Sequence, residues 1–277
     1  MSPKTVLITG CSEGGIGGAL AESFQKRGFH VFATARSLAK MKHLAELPNV
    51  TLLTLDVTSR ESIEGAVAAV TKHTNGTLDV LVNNSGLGYS VPALDANLKM
   101  ARDVFDVNFF GVVETTQLFA PLLIASKGTI VNICSTAAHV DGLWSTMYAA
   151  SKAAQEKFSE SLRLELEPFE IKVLSIIAGA VATNMAANVP HFEVREGLFY
   201  KASEKEIARQ AAGEMSHGGM DISLFADKVV GDVVRGATGR VFRGKMATFV
   251  WVLTSFFPQF LQDKFIKTAQ GSSFQKA

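Results

Sequence analysis

Short apolar runs alternate with longer amphipathic stretches along the first two thirds of the chain. TVLIT (Thr5–Thr9), HVFATAR (His30–Arg36), VTLLTL (Val50–Leu55), LDVLVN (Leu78–Asn83), GTIVNIC (Gly128–Cys134) and IKVLSII (Ile171–Ile177) are compact and rich in apolar residues. They read as strands, the first of them as a strand buried on both faces. Between them the period becomes helical. Ile16, Leu20 and Phe24 recur every fourth residue in a helix starting near Ile16, and Gly28 is a stop signal. TSRESIEGAVAAV opens with Thr58 and Glu61 at capping-box spacing. Two helical stretches flank FDVNFFG, and Met147 to about Glu167 forms a long helix halted by Pro168. Strands alternating with helices predict an α/β fold with a doubly wound parallel sheet of about seven strands. No linker or internal repeat interrupts the pattern, so residues 1–277 read as a single domain.

Composition narrows the class. The chain has 277 residues, of which 47% are apolar, enough for a substantial core. A net charge of +1 with no long run of one sign argues against nucleic acid as a partner. The two cysteines, Cys11 and Cys134, sit in apolar segments and make no disulfide framework, which points to a reducing compartment. The opening MSPKTVLITG lacks the basic start and cleavage site of a signal peptide. A cytoplasmic protein is expected, and no metal site.

The stretch LITGCSEGGIGGAL (residues 7–20) holds two motifs with different chemistries. Gly10, Gly15 and Gly17 fit a loop that cradles a dinucleotide phosphate at the start of a helix. GCSEG also fits the G-x-S-x-G elbow of a hydrolase, with Ser12 as nucleophile. An elbow needs an acid and a histidine in that order after the serine, and the six histidines stand in no such pattern. The glycine-loop reading therefore leads, with the Ser12 hydroxyl near the phosphates. Ester hydrolysis by Ser12 stays as an alternative, and a non-catalytic nucleotide-binding protein as a third. Where an NAD-binding acid would end the second strand, the chain reads ATAR. Arg36 there suits a 2′-phosphate, hence NADP(H); its other reading is a surface arginine opening a helix.

TMYAASKAA places Tyr148 and Lys152 four apart on one helical face. An ammonium beside the phenol lowers its pKa and makes Tyr148 a proton donor or acceptor for an alcohol or ketone oxygen. Ser135, at the end of the fifth strand, is placed to hold that oxygen. Cys134 reads as a small core residue, and His139 either faces the substrate or is an ordinary loop histidine.

These residues belong to an ordered set: TG…GIG at 9–17, LDV at 55–57, NNSG at 83–86, FDVNFFG at 105–111, VNICS at 131–135 and YAASK at 148–152. Over roughly residues 4–183 the chain resembles the classical short-chain dehydrogenase/reductase family. The resemblance implies a Rossmann domain and a tetrad of Asn108, Ser135, Tyr148 and Lys152. It also implies cofactor contacts from Gly10, Ser12, Gly15, Ile16, Gly17, Arg36, Asp56, Val57, Asn84, Tyr148, Lys152, Val181 and Thr183. Asp56 and Val57 would approach the adenine, Val181 and Thr183 the nicotinamide carboxamide, and Lys152 the nicotinamide ribose. Asn108 would hold a water linking Lys152 to solvent. Three departures stand out: four residues between Gly10 and Gly15 where the family usually has three, Ser85 in place of Ala, and Ala178 in place of Pro. The extra residue predicts a bulged loop.

Two regions lie outside the motifs. Residues 184–220, rich in Ala, Gly, Met and charge, read as a substrate lid. Met246–Ile266 is unusually apolar, but its uninterrupted part ends at Phe257 before Pro258. That is too short to span a bilayer. With basic residues on both sides it suits a membrane interface, a subunit contact or a flap over a greasy pocket. GCSEGGIG, FATAR and this tail resemble fungal reductases similar to 1-acyl-dihydroxyacetone-phosphate reductase. That likeness implies a lipophilic ketone, such as an acyl-dihydroxyacetone phosphate or a polycyclic natural-product intermediate. It also implies a place at the endoplasmic reticulum or lipid-droplet surface. The family resemblance implies a homo-oligomer built on two long helices per subunit.

Overall fold

The computed structural model describes residues 3–184, 200–213 and 218–269. Its strands are β1 (Thr5–Ile8), β2 (His30–Ala35), β3 (Val50–Thr54), β4 (Val80–Asn83), β5 (Thr129–Ser135), β6 (Lys172–Ala178) and β7 (Gly239–Arg243). They form one parallel sheet in the order β3-β2-β1-β4-β5-β6-β7. The order reverses between β1 and β4, and such a switch point opens a crevice at the carboxyl ends of the strands.

Alternation along β1 assigns the two cores. Val6 and Ile8 face one layer, where they pack with Leu20 and Phe24 of α1 (Ile16–Lys26) and with Phe225, Val229 and Val230 of α7 (Ile222–Val234). Leu7 faces the other, with Ile63 and Val70 of α2 (Arg60–Thr74), Phe119 and Leu123 of α4 (Gly111–Ser126), and Leu81. All of these are fully buried, and each is worth roughly 1.5–3 kcal/mol. α5 (Thr146–Glu165) packs beside α4 against β5 and β6.

A polar seam crosses this second layer. Asn83 donates to Asn132 Oδ1 at 2.9 Å, Asn132 to Ser159 Oγ at 2.7 Å, and Ser159 to the Gln155 carbonyl at 2.7 Å. The seam ends on the buried face of α5, and within it Asn83 Oδ1 is left without a hydrogen-bond partner.

Several local expectations shift. The cap of α2 is Ser59, whose hydroxyl accepts from Ser62 N, not Thr58. Thr58 is already held by Asp56 Oδ1 through both its N–H and its hydroxyl. The stretches around FDVNFFG are one continuous helix: α3 (Leu98–Phe105) runs into α4 through a π turn at Asp106–Phe110. This joined helix is long and apolar enough to cross a membrane, but it packs on the sheet as a core element. Pro168 sits in a 3₁₀ turn just after α5. Of the expected lid, α6 (Glu204–Ala211) is described, while 185–199 and 214–217 lie outside the described residues. Pro258 divides the tail into α8 (Ala247–Phe256) and α9 (Gln259–Ala269).

Candidate active site

The glycine loop shows why its residues lack side chains. Gly10 has φ +76°, and a Cβ there would come 2.9 Å from Ser85 Oγ. A Cβ on Gly15 would lie 3.0 Å from Ser12 O. One on Gly17 would overlap Gly10 O and lie 2.6 Å from Asn84 Nδ2. Gly17 is thus a packing glycine that seats α1 against the turn, and it is not on the cavity wall. The loop is anchored on two sides. Glu13 N donates to Lys40 O at 2.9 Å, and Gly14 O accepts from Asn184 N at 3.1 Å. The loop therefore bridges the turn after β2 and the segment after β6.

One cavity of about 590 Å³ opens at the switch point. The glycine loop supplies Gly10, Ser12, Gly15 and Ile16; Arg36 follows β2, Asp56 and Val57 follow β3, and Asn84 follows β4. Ser135, Tyr148 and Lys152 form the deeper wall, with Val181 and Thr183 beside them. Of the expected site residues, all but Gly17 and Asn108 line this cavity. The sequence reading missed Lys40 beside Arg36, and Met100, Asp103 and Asp106 on the α3 side. Asn84 also has a structural task, since its amide donates to Thr9 O and Gly10 O.

Asn108 is fully buried in the π turn, a feature common at functional sites. Its Oδ1 accepts from Leu87 N at 2.8 Å, and its Nδ2 donates to Leu87 O at 2.9 Å and Ser151 Oγ at 3.0 Å. One side chain thus ties the loop after β4 to α5. With both amide hydrogens in use, it acts here by holding that frame.

At the deep end Ser135 engages the phenol of Tyr148. Burial pushes the Tyr148 phenol above its ordinary pKa, and the bond with Ser135 works against that rise. Lys152 is buried, and its ammonium donates to Ile133 O and Gln155 Oε1, each at 2.9 Å. Burial lowers it to about 8, with Cys134 opposing. The expected lowering of Tyr148 by Lys152 is therefore absent here: both bonds described for the ammonium go to neutral oxygens, and desolvation dominates the phenol. A phenol held protonated suits proton donation. Cys134 is pushed up to about 12 by burial and stays a thiol, in keeping with a core role.

His139 points away from the cavity. Its Nε2 lies 2.8 Å from Oε2 of buried Glu156, within ion-pair distance though out of line for a straight hydrogen bond. The other oxygen of Glu156 accepts from Arg240 Nε at 2.6 Å. Among the described residues no imidazole hydrogen-bonds to Ser12; His191 and His217 lie outside them.

The family model described as short chain dehydrogenase matches residues 4–193. A Penicillium ochrochloron protein, short-chain dehydrogenase ptmH, is 49% identical over 263 residues, covering 95% of this chain and 96% of that one. The NADPH-dependent 1-acyldihydroxyacetone phosphate reductase of Schizosaccharomyces pombe is 46% identical over 182 residues, 66% of this chain and 61% of its own length. Among solved structures, a short-chain dehydrogenase from Streptomyces avermitilis aligns with a TM-score of 0.77 at 28% identity, covering 98% of this chain and 99% of that one. A short chain dehydrogenase from Burkholderia cenocepacia in complex with NADP shares the fold, with a TM-score of 0.73 at 24% identity over 98% of both chains. The ordered motifs and the cavity they build thus have their counterpart in a known family: the chain belongs to the short-chain dehydrogenases.

Proposed function

We propose that this chain is an NADPH-dependent reductase that interconverts a lipophilic ketone and its alcohol. The carrying observation is that Ser135, Tyr148 and Lys152 share one cavity with the glycine loop and Arg36. Gly10 and Gly15 line the cavity, where bare backbone at a helix start suits a pyrophosphate, and Arg36 suits the 2′-phosphate of NADP(H). The name of the fission-yeast relative supports the same cofactor.

When bound, the nicotinamide supplies a hydride to the carbonyl carbon. The chain's own residues handle the proton. Ser135 orients the carbonyl oxygen through its hydroxyl. Tyr148 gives its phenolic proton to that oxygen as charge develops there. Lys152, one turn on, bonds the nicotinamide ribose and stabilises the phenolate left behind. Asn108 holds the loop and helix that frame them. The reverse oxidation uses the same groups. Acyl-dihydroxyacetone phosphates and polycyclic natural-product ketones are the substrate classes to try first. Fluorescence titration of purified protein tests the cofactor assignment: NADPH binds much more tightly than NADH, and Arg36→Ala removes most of that difference. Equal binding of the two cofactors overturns it.

The chain also associates with lipid surfaces through 246–266 and forms a homo-oligomer through α4 and α5. In support of the first, Phe256 and Phe260 are 70% and 69% exposed on the α8–α9 hairpin, with further exposed aromatic residues beside them. The hairpin adjoins the loop that joins β5 to α5, for Gln259 donates to Asp141 at 2.7 Å and Trp251 neighbours Phe242, which packs on His139. A lipophilic ketone could then enter from the cytoplasmic face of the endoplasmic reticulum or a lipid droplet. In support of the second, Ile124 on α4 and Leu164 on α5 are exposed.

A further inference from the structure

Lys152 rests against two neutral acceptors, and one of them is a side chain that packing does not need. Gln155 is fully buried, and its Oε1 accepts from the Lys152 ammonium at 2.9 Å. An ammonium only donates, so the amide orientation is set: oxygen toward Lys152, nitrogen away. The Nε2 that faces away is buried and has no hydrogen-bond partner. An orphaned buried donor costs stability, and a leucine of similar size would fill the space without it. The side-chain bond described for this amide is the one to Lys152.

We propose that Gln155 is a positioning residue for Lys152: its amide oxygen fixes where the ammonium sits and favours its charged form. The proposal rests on Lys152 contacting the cofactor ribose as described above. Hydrogen bonding to a charged form raises an ammonium's proton affinity, opposing the desolvation that lowers it. The other groups facing Lys152 leave room for such control. Cys134 on β5 is a neutral thiol, and Tyr148 is one turn earlier on α5. Glu156 is taken up by Arg240 and His139. Asp103 and Asp106 stand on the α3 side of the same cavity.

NADPH binding as a function of pH tests this without a known substrate. In the wild-type protein, affinity falls as pH rises through about 8, where Lys152 loses its proton. Gln155→Leu moves that midpoint down by about one pH unit, and the loss of the orphaned N–H offsets part of the stability lost with the Lys152 bond. Gln155→Glu places a carboxylate beside the ammonium and moves the midpoint up. A purely structural glutamine would change stability without moving the midpoint in opposite directions. A midpoint unmoved in both variants, yet abolished by Lys152→Ala, overturns the role of Gln155 and leaves Lys152 in place. A wild-type profile with no midpoint, or one that survives Lys152→Ala, overturns the assignment of Lys152 and the proposal with it.

Discussion

The glycine loop with β1 and the α8–α9 hairpin are both strongly apolar, yet they use that character in opposite ways. In the first, Val6, Leu7 and Ile8 are wholly buried, and the turn that follows has no room for a Cβ at Gly17. In the second, Ala247, Val250 and Leu253 are buried, while Phe249, Trp251, Phe256, Phe257 and Phe260 face outward. The first region is completed by its own chain. The second leaves these aromatic side chains uncovered, as contact faces do. Apolar content alone does not separate a core from a docking face; what separates them is whether neighbouring elements close over it.

Four experiments sharpen or break this contrast. The largest effect belongs to the self-contained half. Tyr148→Phe lowers kcat by at least about 10²-fold, the usual contribution of a general acid, while NADPH affinity by fluorescence titration changes little. Retained turnover would remove Tyr148 from the mechanism. Next, Gly17→Ala forces a methyl onto Gly10 O and costs about 1–3 kcal/mol, read as a lower denaturation midpoint together with weaker NADPH binding.

The third effect depends on pH. The folded pKa of Lys152 lies near 8, against 10.5 for an ordinary lysine, so between those values the unfolded chain binds more protons. Stability of the cofactor-free protein attributable to this group therefore rises with pH from about 8, by about 2 kcal/mol over 1.5 units. Cys11 and Cys134, held as thiols up to about 12 against an ordinary 9, oppose that rise above about 9, and Tyr148, also shifted up, adds to the opposition above its ordinary value near 10. Lys152→Met should flatten the rise in urea titrations; an identical slope in the variant would assign it elsewhere.

The smallest change in stability comes from the hairpin. Phe256→Glu and Phe260→Glu alter stability by less than about 0.5 kcal/mol, as exposed substitutions do. They nevertheless abolish co-sedimentation with vesicles of phosphatidylcholine and phosphatidylserine. Unchanged co-sedimentation, or a shift in oligomeric state instead, would make the face a subunit contact.

Most of the sheet was readable because its strands are short, apolar and punctuated by glycine or polar turns. The glycine loop was readable for the same reason: Gly10, Gly15 and Gly17 mark positions where backbone must approach backbone. The π turn at Asp106–Phe110 was not, because a single widened turn leaves the apolar pattern of FDVNFFG unchanged. The cap of α2 was misplaced by one residue because Asp56 captures Thr58, a competition between neighbours that spacing does not reveal. The partners of Lys152 and His139 were also hidden. Gln155 follows Lys152 by three residues on the buried face of α5, a visible signal only once that face is known. Glu156 meets His139 across seventeen residues through the packing of a loop on a helix.

The extra residue in the glycine loop makes one wall of the cavity answer to another. Gly14 O accepts from Asn184 N, so the loop after β1 and the segment after β6 share one backbone bond. Deleting one residue from the loop would draw Gly14 back toward α1 and cut that tie, leaving two neighbouring walls of the same cleft to be held separately.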